Sequence, residues 1–351
     1  MKTDLFNYTL PEDLIAFHPP AKRDGGRLLV LDPNTGKVVH ATIRDLPGLL
    51  PQKSLLIGNN TRVIPARLRG RRPTGGAVEI LLVRPLKETD TECRWLALIG
   101  ANKPIKPGDD IHLKDNVTVR VEARRQRGES EISIKLSFLE FKKIIKNNGE
   151  IPLPPYIKRA PDAADKTRYQ TVFAHHDGSV AAPTAGLHFT DELIKETRLA
   201  GHEMDYVTLH VGPGTFRPIL ADNLDDHRMD EEFFSVGPKT VERILKAKKF
   251  SRPIMAIGTT VVRTLEGATK ACGGTLKPSD GFTDIFISPP YDFSVVDGLL
   301  TNFHLPKSTL LCLVSALADR EMILNAYAEA VKERYRFYSY GDAMLILPRR
   351  I

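Results

Sequence analysis

Residues 253–271 read PIMAIGTTVVRTLEGATKA, and this run carries the clearest fold signal in the 351-residue chain. Its first five residues are apolar and predict a short buried strand. The turn Gly258-Thr259-Thr260 follows, and residues 261–271 show the spacing of a helix. A buried strand that leads through a short turn into a helix is the unit from which α/β sheets are built. The run therefore predicts an α/β fold.

The same alternation of strand and helix continues on both sides of this run. Strands are expected at residues 27–31, 54–57, 204–211, 282–287, 299–303 and 344–347. Helices are expected after Thr190 and at residues 239–249, 308–318 and 321–335. The Thr190 hydroxyl can cap its helix. Asp191 and Glu192 follow in the first turn, where acidic side chains are favoured by the helix dipole. The pattern predicts a main α/β domain with a mixed sheet.

The stretch between residues 62 and 150 has a different character. Short segments rich in β-branched residues follow one another without a helix between them, at residues 62–69, 76–84, 94–99, 110–113, 117–123 and 131–136. Such a succession predicts a small antiparallel barrel or sandwich. A helix is expected at 138–147, and the proline-rich run IPLPPY at 151–156 marks a boundary. We therefore predict an α/β domain of residues 1–61 and 151–351 with an inserted antiparallel β-barrel of residues 62–150.

Positive charge is concentrated in the inserted segment. The whole chain has 50 Lys and Arg against 43 Asp and Glu, a formal net charge of +7. Between Arg62 and Arg159 there are 21 basic and 12 acidic residues, so the rest of the chain has a slight acidic excess. A basic surface attracts polyanions, which predicts that the barrel contacts nucleic acid through phosphates. A solvated basic face that binds nothing is the alternative.

Composition argues against several other classes of protein. Hydrophobic residues make up 42% and charged residues 26%, as in globular proteins rather than disordered chains. The longest apolar run, residues 310–318, is shorter than the roughly 20 residues that cross a bilayer. Cys93, Cys272 and Cys312 are too few and too widely spaced for a disulfide framework or a zinc cluster. The sequence thus predicts a cytoplasmic protein without a membrane segment or a metal.

Polar loops follow several of the predicted strands. Gly258-Thr259-Thr260, with Arg263 one turn later, offers helix N–H groups, hydroxyls and a guanidinium for a carboxylate or phosphate. A capped strand-to-helix turn is the alternative, as it is for the weaker motif Gly212-Pro213-Gly214-Thr215. The loops at residues 181–189 and 301–308 place His188 and His304 beside small or hydroxylated residues. Ligands bind at strand ends in open α/β sheets, so these loops predict an active site, although a single histidine is more often structural.

Long runs across the chain carry a stronger signal than any single motif. They are RLLVL at residues 27–31, NTRVIPARL at 60–68, PLPPYI at 152–157, RYQTVFA at 168–174, GSVAAPTAGLHFT at 178–190, TNFHLPKSTL at 301–310 and YGDAMLI at 340–346. With these runs the chain resembles the S-adenosylmethionine:tRNA ribosyltransferase-isomerase family of queuosine biosynthesis. The resemblance implies an α/β domain with an inserted β-barrel, and S-adenosylmethionine as a donor of its ribosyl group.

The resemblance also implies the acceptor, the products and the partners. In the family, the acceptor is 7-aminomethyl-7-deazaguanine at the wobble position of tRNA, and the products are epoxyqueuosine-tRNA, adenine and methionine. Because S-adenosylmethionine is consumed as a substrate, no true cofactor and no metal are expected. The expected partners are S-adenosylmethionine and the anticodon loop of tRNA, and the chain is expected to act as a monomer.

The chemistry of that reaction suggests catalytic roles for residues in the matching runs. Removal of a proton beside the sulfonium needs a base, and adenine leaves more readily once it is protonated. Imidazoles suit both steps, so we expect the acid/base pool to be His188, His210 and His304. Glu231 and Asp342 are expected as secondary carboxylates.

Substrate binding is expected to involve a larger set of residues. Arg263, with Thr259 and Thr260, is the candidate for binding the methionine carboxylate. Asp24 and Arg27 are expected to orient the acceptor base or the ribose. The full predicted set is Asp24, Arg27, Asn60, Thr61, Arg62, Thr184, Gly186, Gly212, Gly214, Thr215, Gly258, Thr259, Thr260, Arg263, Asn302, Lys307 and Ser308.

Three positions depart from the family pattern, and two other functions remain open. Asn60, Asp230 and Pro290 stand where Asp, His and Gly are usual in the family. Asn60 keeps hydrogen bonding without charge, whereas Asp230 lacks an imidazole for acid/base work. The alternative functions are a tRNA-binding relative without activity and an S-adenosylmethionine-dependent RNA methyltransferase. Retention of the polar loops argues against the first, and release of free adenine is incompatible with the second.

Overall fold

Seventeen strands and eight α-helices build the part of the chain, residues 1–349, that the computed structural model describes. The strands are β1 (Arg27–Leu31), β2 (Val38–Thr42), β3 (Leu55–Asn59), β4 (Thr61–Val63), β5 (Arg67–Arg71), β6 (Ala77–Glu88), β7 (Cys93–Ala101), β8 (Asp110–His112), β9 (Thr118–Arg124), β10 (Glu129–Ile134), β11 (His176–Ser179), β12 (Glu203–Leu209), β13 (Glu232–Val236), β14 (Ile254–Ile257), β15 (Ser279–Thr283), β16 (Gly298–Asn302) and β17 (Ala343–Ile346). The α-helices are α1 (Leu46–Leu49), α2 (Phe138–Asn148), α3 (Asp165–Arg168), α4 (Asp191–Leu199), α5 (Pro238–Lys249), α6 (Thr259–Ala271), α7 (Thr309–Ala318) and α8 (Arg320–Lys332).

Nine of the strands form one mixed sheet, in the order β15-β13-β12-β3-β14-β16-β17-β1-β2. β14, from the run that opens the sequence argument, is the middle strand, and all of its residues are buried. It is parallel to both of its neighbours, β3 and β16. β12 is also parallel to β3, whereas β17 is antiparallel to β16. The predicted α/β class with a mixed sheet is confirmed.

The main sheet separates two hydrophobic cores, because successive side chains of a strand point to opposite faces. In β1, Leu29 and Leu31 belong to the first core, and Leu28 and Val30 belong to the second. Residues of α5, α6, α7 and α8 complete the first core, and residues of α1 and α4 complete the second. None of the helices within residues 1–349 has the length and apolar character that a membrane crossing requires.

Strands β5 to β10 close into an antiparallel barrel, in the order β10-β7-β6-β5-β8-β9. Alternate residues such as Leu68 and Ile80 fill its interior and are almost completely buried. α2 packs against the barrel, where the rings of Phe138 and Phe141 lie 6.2 and 6.1 Å from the Trp95 ring between centroids. The predicted second architectural unit, a small antiparallel β-barrel, is confirmed.

The first predicted barrel strand, residues 62–69, is wrong in its extent. β4 pairs in parallel with β11 in a separate two-stranded sheet, and the barrel begins only at Arg67. Pro65 lies between β4 and β5, has no backbone N–H to donate and interrupts the ladder. All barrel strands and α2 lie inside the predicted insertion of residues 62–150, and its exact bounds stay a prediction.

Candidate active site

Strand ends bring the predicted loops to one edge of the main sheet. β12, β3, β14 and β16 are parallel to one another, so their carboxyl ends lie at the same edge, where α/β proteins bind ligands. The residues that follow these ends are His210, Asn60, Gly258 and Phe303. The first residue of antiparallel β17, Ala343, pairs with Asn302. Asp342 therefore reaches this edge from the opposite direction.

A cavity of about 40 Å³ lies at this edge. Predicted site residues from three separate segments line it, namely Thr184, Thr215, Asn302, His304 and Ser308. Its aromatic wall, which was not among the predicted site residues, is formed by Tyr156 and Tyr338 with ring centroids 4.6 Å apart. Tyr156 belongs to the proline-rich run that the sequence indicates as a domain boundary and as a match to the family, but not as part of the site. The structure thus joins this boundary run to the predicted loops.

His304 lines the cavity and is buried in the edge of the sheet. Its Nε2 lies 2.9 Å from Thr301 Oγ1, and its backbone N–H donates to the Tyr327 hydroxyl at 3.0 Å. Burial lowers the pKa of His304 to about 3, because the charged imidazole loses its hydration. His304 is therefore neutral at pH 7.

His188 is buried next to Asn302, with its Nε2 3.2 Å from Asn302 Nδ2. Burial lowers the pKa of His188 to about 4, although a hydrogen bond with the backbone of Arg23 opposes this shift. The ring also lines a smaller cavity of about 10 Å³, together with Tyr340 and Arg23. Two protein groups therefore hold the ring, an arrangement that orients it firmly.

Asp342 is buried beside this ring and has both of its carboxylate oxygens bound. Oδ1 accepts a hydrogen bond from the Arg27 N–H at 2.8 Å, and Oδ2 accepts one from the Arg336 N–H at 2.7 Å. Burial raises the pKa of Asp342, and the hydrogen bonds from these backbone groups oppose the shift. The carboxylate joins the start of β1 to the loop before β17.

His210 is packed between a ring and a glycine. Its Nδ1 lies 2.8 Å from Thr61 Oγ1, and its ring stacks on Phe233 at 5.4 Å between centroids. A Cβ at Gly178 would lie 2.6 Å from His210 Nε2, so this position leaves room for glycine alone. Burial is the main cause that lowers the pKa of His210 to about 4, and the neighbouring His176 is a smaller cause in the same direction. His210 is therefore also neutral at pH 7.

Arg263 forms a buried ion pair that the sequence did not predict. Its Nη1 contacts Glu232 Oε2, and the two side chains are 2% and 3% exposed. Glu232 Oε1 also accepts hydrogen bonds from the Gly212 N–H and the Thr215 hydroxyl, both at 2.8 Å. The Glu232 carboxylate thus already binds the Arg263 guanidinium. The predicted role of Arg263, binding the methionine carboxylate, stays a prediction.

Glu231, the predicted secondary carboxylate, lies on the surface. Its side chain is 62% exposed, and its Oε2 is 3.8 Å from Arg84. In β13, Glu232, Phe234 and Val236 are buried, with half-buried residues between them. Side chains of a strand alternate between its two faces, so Glu232 lies on the same buried face as Phe234, two residues later. A carboxylate on a buried face needs a partner. The structure does not bring Glu231 to the cavity, and the neighbouring residue takes the buried position.

The turn before α6 is held by an asparagine that the sequence did not single out. Asn59 Nδ2 donates to Thr260 Oγ1 at 3.2 Å, and Asn59 Oδ1 accepts from the Thr61 N–H at 3.1 Å. Gly258 has a φ of +94°, a value that favours glycine. Thr259 and Thr260 are both buried. These contacts match the alternative interpretation of a strand-to-helix turn and keep the helix N-terminus at the sheet edge.

Asp24 and Arg27 are bound to residues other than those of the cavity wall. Asp24 Oδ2 lies 3.0 Å from Arg44 Nε. The Arg27 guanidinium lies 3.8 Å above the centre of the Tyr335 ring. Through its backbone, Arg27 still contacts Asp342. The proposed role of these two side chains in orienting the acceptor stays a prediction.

Lys307 and Arg62 also have protein partners. The Lys307 ammonium pairs with Asp4 near the N-terminus. The Arg62 guanidinium lies 3.7 Å from Asp177, in the strand paired with its own. Both ion pairs are at least partly exposed, so these cations can exchange partners at small cost.

Two predicted glycines are required by close packing. A Cβ at Gly186 would lie 2.8 Å from side-chain atoms of Phe173 and Thr171. A Cβ at Gly214 would lie 2.0 Å from a carboxylate oxygen of Asp230. Both glycines therefore let neighbouring segments approach the site closely.

Two positions that depart from the family pattern have defined contacts. Asn60 Oδ1 accepts a hydrogen bond from the Thr208 hydroxyl at 2.7 Å. Asp230 pairs with Arg127 of the barrel and lies 3.7 Å from Arg217. Asn60 thus joins two strands of the main sheet, and Asp230 joins the barrel to the loop that contains the Gly212–Thr215 motif.

Comparison with known proteins gives consistent results over the whole chain. The family model described as "Queuosine biosynthesis protein" matches residues 3–346. An S-adenosylmethionine:tRNA ribosyltransferase-isomerase of Nitratidesulfovibrio vulgaris strain DP4 is 49% identical, over 97% of this chain and 96% of the relative. A protein of the same name from Aquifex aeolicus strain VF5 is 46% identical, over 99% of this chain and 100% of the relative.

A solved structure agrees with these relatives. The crystal structure of S-adenosylmethionine tRNA ribosyltransferase from Thermotoga maritima matches with a TM-score of 0.54 and 33% sequence identity, over 98% of this chain and 100% of that chain. The protein is thus an enzyme of the transferase and isomerase type. It belongs to the queuosine biosynthesis family of S-adenosylmethionine:tRNA ribosyltransferase-isomerases, as the sequence resemblance predicts.

Proposed function

We propose that this enzyme transfers and isomerises the ribosyl moiety of S-adenosylmethionine onto 7-aminomethyl-7-deazaguanine at the wobble position of tRNA. The products are epoxyqueuosine-tRNA, adenine and methionine. The observation that carries the proposal is 49% identity, over 97% of the chain, to an S-adenosylmethionine:tRNA ribosyltransferase-isomerase. The gathering of polar residues from three segments at one cavity supports it.

The first chemical step needs a base, because the positive sulfur of the donor acidifies the adjacent C5′ protons. We assign this role to His304, which lines the cavity and is neutral at pH 7. Thr301 Oγ1, 2.9 Å from Nε2, fixes the orientation of the ring. Once protonated, the imidazole carries a charge in a buried place, which favours transfer of the proton onward to the departing adenine.

Donor binding is assigned to the same cavity. Thr184 offers a hydroxyl to the donor. The Thr215 hydroxyl already donates to Glu232 and the Ser308 hydroxyl to the Leu305 carbonyl, so these two can act only as acceptors. The Tyr156 and Tyr338 rings offer apolar faces on which adenine can stack. S-adenosylmethionine is larger than a cavity of about 40 Å³, so we expect these two side chains to move apart when the donor binds.

The acceptor amine has to be held in line with the ribose, and this is a matter of positioning rather than of further chemistry. We assign the holding of tRNA to the basic barrel and the reacting base to the sheet edge. The scheme uses no covalent enzyme intermediate, no metal and no cofactor, since S-adenosylmethionine is consumed as the ribosyl donor.

The test is an analysis of the products. The enzyme is incubated with S-adenosylmethionine and tRNA that carries 7-aminomethyl-7-deazaguanine, and the digested nucleosides and the free bases are identified by mass spectrometry. The proposal predicts epoxyqueuosine and an equal amount of free adenine. Formation of S-adenosylhomocysteine with a methylated nucleoside would instead establish the methyltransferase alternative.

A further inference from the structure

The barrel carries a groove that the chemistry at the sheet edge does not use. It has a volume of about 650 Å³ and crosses strands β7, β6, β5 and β8. Its lining includes Arg69, Arg71, Asn102, His112, Lys114 and one acidic residue, Glu79. The Glu79 carboxylate is itself paired, 3.6 Å from Arg67 and 3.8 Å from Arg69.

β5 and β8 pair over only a short length beside the groove. The two strands share a single register pair, Arg71 with His112. At Gly70 they are so close that a Cβ would lie 2.8 Å from Ile111 Cγ2. Around this contact the wall contains glycine and alanine, including Ala77 and Gly100, so that the floor of the groove is open to a bulky ligand.

Positive charge in the groove is available to a ligand. Arg71 and Lys114 are exposed, and neither forms an ion pair with any residue between 1 and 349. Arg71 donates only to the carbonyl of Gly75, at 3.2 Å. Arg69 is engaged, since its guanidinium binds both carboxylate oxygens of Glu150 at 2.8 and 3.0 Å.

In the basic cluster at residues 124–127, two of the three arginines have ion-pair partners. Arg125 pairs with Glu131 at 2.6 Å. Arg127 pairs with Asp230 across to the α/β domain. Arg124 donates to the Ser130 hydroxyl at 3.0 Å. The local density of arginines therefore overstates the charge that is free to meet a phosphate there.

We propose that the groove across β7-β6-β5-β8 holds a stretch of the tRNA sugar-phosphate backbone, with Arg71 and Lys114 on its phosphates. The inference rests on the proposed function, which makes tRNA a substrate. Unpaired exposed cations in a wide, small-residue groove fit a polyanionic strand, because phosphate contacts need charge and close approach but no base recognition. An acidic protein segment is the competing occupant.

The test compares two double variants that each remove two positive charges. Binding of unmodified substrate tRNA is measured at salt concentrations from about 50 to 200 mM for the wild type, for Arg71→Ala/Lys114→Ala and for Arg125→Ala/Arg127→Ala, which removes two ion-paired arginines. In the groove variant we expect affinity to fall on the order of tenfold and the log–log salt slope to decrease by about 1 to 2. The control variant should stay close to the wild type.

Two results would overturn the inference. One is a wild-type affinity and slope in the groove variant, and the other is an equal loss in both variants, which would show only a general effect of net charge. Adenine release by the wild type with saturating tRNA is measured in parallel. Absence of that release would defeat the proposed function, whereas a wild type that releases adenine beside an unaffected groove variant would defeat the groove alone.

Discussion

The edge of the main sheet and the groove of the barrel use ionisable residues in opposite ways. At the sheet edge, His304 is buried, bound to a threonine hydroxyl and held neutral. In the groove, Arg71 and Lys114 are exposed and keep their charge available. Burial keeps an imidazole neutral, whereas hydration leaves a cation free to exchange a counterion for a phosphate. On these two proposals, the chemistry and the binding of tRNA are separable in this molecule.

The largest expected effect concerns the base. His304→Gln should lower the rate of adenine release by about 10²–10⁴, because loss of general acid–base catalysis costs that much. Affinity for tRNA should stay near that of the wild type, since the barrel is untouched. The rate is measured in a single turnover with both substrates saturating. His202→Gln is the matched control, because His202 is buried and bonded to the Pro47 carbonyl; an equal loss of rate in it would show a structural effect.

The next largest expected effect is on the free energy of unfolding, and it comes from the buried ion pair between Arg263 and Glu232. Glu232→Gln leaves the Arg263 charge buried without a carboxylate, which should lower the free energy of unfolding by about 3–5 kcal/mol. Denaturation in urea measures the change. Glu231→Gln is the matched control on the adjacent, exposed residue and should change stability by less than about 1 kcal/mol. Equal stability of the two variants would contradict the assignment of Glu232 as the structural carboxylate.

The buried histidines predict how stability depends on pH. The pKa values of His188 and His210 are lowered to about 4 and that of His304 to about 3, from 6.5. Below pH 6.5 the unfolded chain therefore binds more protons than the folded chain, so stability that is complete above pH 6.5 is lost as pH falls toward 4. Each histidine contributes up to about 1.4 kcal/mol per pH unit in this range.

Urea denaturation at several pH values between about 7 and 4.5 checks this slope. His304→Gln should remove the share of one histidine from it. His18→Gln, which replaces an exposed histidine, should leave the slope as in the wild type. A slope that is unchanged in His304→Gln would show that His304 does not stay neutral in the folded protein.

The smallest expected effect belongs to the exposed ion pairs of the barrel. Arg125→Met removes the pair with Glu131, in which the arginine side chain is 58% exposed. Solvent screens such a pair, so unfolding free energy should change by less than about 1 kcal/mol. Thermal denaturation at low and high salt measures it. A loss as large as that of Glu232→Gln would erase the contrast between the buried and exposed charges.

The sequence predicted the architecture because periodic signals set it. The apolar run before Gly258 became the middle strand of the sheet, and the helix-free stretch became the barrel. The split between β4 and β5 was missed although Pro65 marks it, since the segment on each side of Pro65 is short and no helix or turn signal separates the two. The sequence pattern thus predicts reliably which strands and helices form. It predicts less well the residue at which a strand ends its pairing with one neighbour and the next strand pairs with another.

The site was predicted only in part, because its contacts are long-range. Runs matching the family led to His304, Asn302 and Thr184, which the strand ends then bring together. Glu231 was predicted as a site residue and Glu232 was not. The two residues are chemically identical, and only the alternation of buried and exposed faces along the strand distinguishes them. Tyr156 was missed because no local pattern indicates that a boundary segment packs against a loop 182 residues further along the chain, at Tyr338.

The most direct test of the account is one kinetic comparison, in which kcat and the KM for tRNA are measured for the wild type, His304→Gln and Arg71→Ala/Lys114→Ala. We predict that His304→Gln lowers kcat by about 10²–10⁴ and leaves KM near the wild-type value. The groove variant should raise KM on the order of tenfold and leave kcat at saturating tRNA unchanged. A wild-type kcat in His304→Gln, or a change of the same parameter in both variants, would contradict the separation of chemistry from tRNA binding.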